Sequence, residues 1–96
     1  MGLLTPDIRQ QLPHLYSQES VEDPIAHVKF FHPSSNWTWF VTEFDGEELF
    51  FGLVQGLEEE LGYFSLQELE SVNVGGVVVE RDLHFTPTPL SKLRQR

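Results

Sequence analysis

The chain has no cysteine, a single methionine and no long apolar run. Without thiols there can be no disulfide, thiolate metal site or cysteine nucleophile. No stretch approaches the roughly 20 apolar residues that a membrane-spanning helix needs. The opening, Met1 to Asp7, turns polar too soon for a signal peptide, so the cytoplasm is the expected compartment. Basic residues are also scarce. Six Lys and Arg stand against 15 Asp and Glu, for a net charge of -9. Direct binding to nucleic acid or to an anionic membrane is disfavoured, because both draw their affinity from Lys and Arg.

The scarcity is concentrated. From Phe30 to Val79 there is no Lys or Arg, yet this block carries nine carboxylates and ten aromatic rings. Such a segment can fold around its rings while presenting a field of one sign, which favours a cationic partner. At 96 residues and 40% hydrophobic content the chain reads as one globular domain, 1–96, with 86–96 a loosely ordered tail.

Thr5-Pro6-Asp7 reads as a helix start, with a hydroxyl cap and Pro in the first turn, and Pro13 ends that helix near Gln11 or Leu12. Ser17 to Pro24 is a polar, acidic loop. Ile25 to Phe31 reads as a strand with Ala26, Val28 and Phe30 on one face. Trp37 to Phe44 is the strongest strand, and Leu49 to Val54 is its antiparallel partner.

Two turns could join them. A two-residue Asp45-Gly46 loop sets Glu43 opposite Glu48, which is unfavourable. A four-residue loop, Asp45 to Glu48, pairs Phe44 with Leu49 and Phe40 with Leu53, and is preferred. Either way one face carries Phe40, Phe44, Leu49, Phe51 and Leu53, and the other Trp37, Trp39, Val41, Phe50 and Val54. Both faces are apolar and need cover.

Gln55 to Glu60 is an acidic turn and Leu61 to Phe64 a short strand. Ser65-Leu66-Gln67-Glu68 fits a capping box, with Leu66, Leu69 and Val72 as the buried stripe. Gly75-Gly76 breaks the chain before a strand over Val77 to Glu80 that can extend through Leu83 and Phe85. Pro87 and Pro89 are expected to stop sheet pairing. The pattern predicts an α+β fold: a small antiparallel sheet built on a central aromatic hairpin, with short flanking helices.

Several groups could carry chemistry. His14, His27, His32 and His84 show no metal-binding spacing and read as surface or edge histidines. Glu43, Asp45, Glu47 and Glu48 cluster at one hairpin end, where Mg2+ could lodge, but a solvated acidic rim is the better reading. Glu58, Glu59 and Glu60 read as a soluble loop or the rim of an interface for a basic protein. Trp37 and Trp39 share a strand face and are either core or an exposed platform of interface anchors.

Three distinctive stretches stand out: Val28-Lys29-Phe30-Phe31-His32-Pro33-Ser34-Ser35-Asn36-Trp37-Thr38-Trp39, Leu49-Phe50-Phe51-Gly52-Leu53-Val54-Gln55-Gly56 and Glu80-Arg81-Asp82-Leu83-His84-Phe85-Thr86-Pro87-Thr88-Pro89-Leu90. Together with Glu43-Phe44-Asp45 and Glu60-Leu61-Gly62-Tyr63-Phe64-Ser65, they resemble a bacterial family labelled domain of unknown function 2958. Its members are small and often encoded on plasmids and other mobile elements. The resemblance implies no catalytic residue and no cofactor. It directs attention to plasmid maintenance or to countering host defence.

The expected function is therefore non-enzymatic. An acidic protein-binding module would dock a basic or nucleic-acid-binding partner through Trp37, Trp39, Glu43, Asp45, Glu47, Glu48, Glu58, Glu59 and Glu60. The alternative is a small enzyme or ligand-binding domain with a carboxylate site at Glu43 to Glu48, His27 or His84 as titrating group, and Mg2+. A third is an adaptor that dimerises through the Trp37 and Trp39 face.

Overall fold

The computed structural model of the chain describes residues 3–95. Helix α1 (Pro6–Gln11) begins as its sequence dictates: the Thr5 hydroxyl accepts from the Ile8 amide at 3.3 Å and Pro6 opens the first turn. Strands β1 (Ile25–Ala26), β2 (Val28–Phe31), β3 (Thr38–Phe44), β4 (Leu49–Gln55) and β5 (Glu59–Ser65) follow. Helix α2 (Leu66–Ser71) carries the complete capping box: the Glu68 amide donates to Ser65 Oγ at 2.9 Å, and the Ser65 amide to Glu68 Oε1 at 3.1 Å. Then come β6 (Asn73–Val74), β7 (Val77–Val78), β8 (Glu80–Arg81), β9 (Thr88–Pro89) and a 3-10 turn over Leu90–Lys92. Among the described residues no helix is long and apolar enough to cross a membrane.

Five strands form one antiparallel sheet in the order β5-β4-β3-β2-β8. With its two short helices the chain is α+β. One side, here the helix face, packs Val28, Phe30, Trp39, Val41, Phe44, Phe50 and Phe64 against Leu12, Leu66, Leu69 and Val79. The other, the tail face, packs Ala26, Phe40 and Leu53 under Leu90, with Phe85 and Leu93 at its margin.

Two local departures rearrange the expected faces. The strand expected over Ile25 to Phe31 breaks at His27, whose amide donates to the Val41 carbonyl at 2.9 Å. Ala26 therefore lies on the tail face, while Val28 and Phe30 lie on the helix face. The second departure is a β-bulge between Val41 and Glu43. Phe40 pairs with Leu53 as expected, but past the bulge Phe44 pairs with Phe50 rather than Leu49. One extra residue in one strand reverses the alternation beyond it. Phe44 thus moves to the helix face and stacks on Phe50 with ring centroids 4.6 Å apart. Opposite the start of this region Gly52 is obligatory, since a Cβ there would overlap the Phe40 carbonyl.

The C-terminal segment also pairs. Thr88 and Pro89 lie antiparallel to Ala26 and Ile25, so Pro89 does not stop pairing here. The ladder is two residues long and separate from the main sheet, a place where a missing N–H is tolerated. The Leu90 amide donates to the Pro24 carbonyl at 2.9 Å, and Gln55 Nε2 donates to the Leu93 carbonyl at 2.8 Å.

Candidate acidic groove

The bulge that moves Phe44 leaves Thr42 and Glu43 beneath the loop that precedes β1. Glu43 is 4% exposed, and its two carboxylate oxygens accept from the Tyr16 and Gln18 amides, each at 2.8 Å. Tyr16 has a φ of 69°, in the left-handed region that a non-glycine residue seldom occupies. A buried carboxylate left unpaired would be costly, so the two amide bonds hold both the charge and the unusual turn in place. The Thr42 hydroxyl donates to the Phe51 carbonyl at 3.1 Å.

Between this loop and the C-terminal turn lies a groove of about 600 Å³. Phe51, Leu61 and Tyr63 floor it. Leu61 is 45% and Tyr63 52% exposed, and the Phe51 and Tyr63 rings meet edge to face with centroids 4.9 Å apart. Four carboxylates line it, from Glu19, Glu22, Asp23 and Glu43, against one guanidinium, from Arg94. Partial desolvation holds the Tyr63 phenol above its ordinary value. The neighbouring Tyr16 phenol and the Glu43 and Glu19 charges push it the same way.

The far wall is tied down by Asp23. Its carboxylate accepts from Ser91 Oγ at 2.6 Å and from the Ser91 amide at 3.0 Å. The Ser91 hydroxyl, then its amide, holds the Asp23 carboxyl below the ordinary value, with Arg94 and Lys92 adding to the effect.

The residues singled out in the sequence do not form one patch. Asp45, Glu47 and Glu48 lie in the β3–β4 turn and Glu58 and Glu59 beyond the other end of β4, roughly 20 Å away across seven strand residues. Asp45 is committed to its own turn: Oδ1 accepts from the amides of Glu47, Glu48 and Leu49 at 2.8, 2.7 and 3.0 Å. Against the upward push of desolvation, those three amides hold its carboxyl below the ordinary value. Glu48 Oε2 accepts from the Gln67 amide at 2.7 Å and so satisfies the start of α2. Glu59 accepts from Gln55 Nε2 at 2.7 Å and from the Gln95 amide at 2.9 Å. Glu47, Glu58 and Glu60 are exposed.

Trp37 and Trp39 stack with centroids 5.9 Å apart. Trp39 is 9% exposed and belongs to the core, whereas Trp37 is 39% exposed and lies over Gly56, where a Cβ would collide with the indole. The histidines diverge. His14 and His84 are exposed, and burial holds the half-exposed His27 below its ordinary value. His32 departs from the surface reading: it is 6% exposed, with Nε2 3.2 Å from the Val77 carbonyl. Among the described residues no three His, Asp or Glu side chains are grouped to hold a metal ion.

Sequence reasoning passed over Glu19, Glu22, Asp23, Leu61, Tyr63 and Arg94 as a set, and Tyr16 beside them. The acids of the Ser17 to Pro24 loop were visible, but only the bulge brings that loop to the sheet. The chain matches the family described as Protein of unknown function (DUF2958) over residues 3–95. It belongs to that family. Neither the curated proteins nor the solved structures gave a match. The DUF2958 description assigns no chemistry, so the groove must be read from its own residues.

Proposed function

We propose that this DUF2958 protein is a non-enzymatic binding module that docks a basic protein segment, such as the nucleic-acid-binding surface of a partner, in the groove between the Tyr16 to Pro24 loop and the C-terminal turn. The observation that carries this reading is the makeup of the groove: an apolar, aromatic floor walled by four carboxylates and a single guanidinium. Aromatic area supplies the contact energy at an interface, and charge complementarity steers and selects the partner. The carboxylates stand in for the phosphates that a basic surface otherwise meets. Exposed Glu58 and Glu60 extend the same sign of charge around the β4–β5 turn. In a mobile-element setting such a module would occupy a host protein's nucleic-acid site.

The test is a titration with a fluorescent lysine-rich peptide at low and at physiological salt. The intact protein should bind, more weakly as salt rises. The double substitution Glu19→Lys with Glu22→Lys should weaken binding about tenfold or more, equivalent to about 1.4 kcal/mol. Reversing Glu58, Glu59 and Glu60 should weaken it less, and unchanged binding by the groove variant would remove the reading. The carboxylate/His enzyme reading has weaker support, because the Asp45 carboxylate is committed to turn amides and Glu43 to the Tyr16 and Gln18 amides.

A further inference from the structure

The groove opens toward β5, which is an edge of the sheet. All seven of its residues pair with β4 on one side. On the other side, among the described residues, backbone groups of Glu59 to Phe64 make no hydrogen bond outside the sheet ladder. The opposite edge, β8, is only two residues long. Short edge strands, proline, bulges and covering segments are the usual protections against strand addition. Here β5 has its acids, Glu59 and Glu60, with the Gln95 amide on Glu59, and these guard one end. The stretch Leu61 to Phe64 is unguarded, and a Cβ on Gly62 would meet nothing.

We infer that β5 accepts an extended strand from the basic partner, so that the ligand enters by β-augmentation and lays its side chains into the groove. This inference rests on the proposed function and specifies its geometry. In a strand, adjacent side chains point to opposite faces. Leu61 and Tyr63 share the tail face with Glu59, and Glu60 shares the helix face with Phe64. The partner strand is thereby specified: two adjacent basic residues, one for each of Glu59 and Glu60, beside apolar or β-branched residues that cover Leu61, Tyr63 and Phe64. Main-chain hydrogen bonds supply affinity and the alternate side chains supply selection. A second copy is the obvious rival, since antiparallel pairing about Gly62 would set Leu61 opposite Tyr63. That arrangement brings together two chains of net charge -9, and the charge favours the basic strand instead.

A labelled peptide of alternating threonine and valine ending in paired lysines tests this. It should bind, and N-methylation of alternate amides, which keeps the charge but removes the donors, should weaken it about tenfold or more. The chain has no cysteine, so a single introduced thiol reports without background. Gly62→Cys should form a disulfide with a cysteine-bearing version of the peptide, while Leu57→Cys, 95% exposed and outside the strand, should not. Equal binding of the N-methylated peptide would overturn strand addition and leave the groove reading intact. Equal binding of a paired-glutamate peptide would overturn both. A Gly62→Cys protein that crosslinks to itself even in excess peptide would assign the edge to a second copy.

Discussion

The two faces of this sheet are built to different standards. The helix face is closed: Phe30 and Phe50 are fully buried, Val41 likewise, and two helices with Leu12 and Val79 seal them. The tail face has a fully buried Ala26 and Leu53, but beside them Leu61 and Tyr63 stand about half exposed. Closure on that side adds the Glu43 clamp and the Asp23–Ser91 bonds to a smaller set of ring contacts, Phe40 with Phe85 and Phe51 with Tyr63. In this molecule stability is concentrated on one side, and the other keeps a polar-walled surface available. Elements held by few apolar contacts are the ones that open locally.

Breaking the closed face should cost most. Phe50 touches the rings of Phe30, Phe44 and Phe64, so Phe50→Ala should lower stability by about 3–5 kcal/mol in urea unfolding. Leu90→Ala on the tail face should cost about 2–3 kcal/mol, because the surrounding turn can settle into the space. An equal loss at the two sites would erase the distinction between the faces.

Glu43→Ala should match the tail-face loss in size but differ in kind. Losing two charge-assisted bonds costs about 3 kcal/mol. Its signature should be local: amides of the Tyr16 to Pro24 loop should lose protection in hydrogen exchange and become sensitive to protease, while those of α2 and β2 keep theirs. Loss of protection throughout would make Glu43 part of the core instead of a clamp.

The smallest effect is acid release of the tail. Asp23 has a folded value depressed below its ordinary 3.8, so its bonds to Ser91 contribute fully above that pH. They are lost as the pH falls through the lower folded value. His27 is depressed from 6.5 by burial, so stability also declines as the pH drops from 6.5 toward its folded value. Hydrogen exchange at the Ser91 amide should show the lower step, and Asp23→Asn should remove that step while leaving the upper one.

Much of the local structure was legible because its signals are local. The Thr5 cap and the Ser65–Glu68 capping box are read from residues three apart, and both form. The Phe40–Leu53 pairing follows from excluding a Glu43–Glu48 clash. What the sequence did not reveal depends on parity. A strand pattern alternates until a bulge or kink resets it, and neither Thr42 nor His27 carries a glycine or proline to mark the reset. Around Phe44 both faces are apolar, so periodicity could not show which way it would turn, whereas around Ala26 the alternation with His27 and Lys29 put it beside Val28 and Phe30 and the break at His27 overrode that pattern. The groove was hidden for the same reason: Glu43 reads as one more rim acid until the bulge places it under the Tyr16 amide.

The two faces also draw on different lengths of chain. The helix-face core takes its buried residues from Leu12 to Val79, whereas the tail face is covered by Leu90, with Leu93 beside it. The cover of the tail face is thus one short C-terminal segment, held by the Leu90 amide on the Pro24 carbonyl and the Asp23 carboxylate on Ser91. Loosening that segment alone would uncover Ala26, Phe40 and Leu53 while leaving the helix-face residues covered.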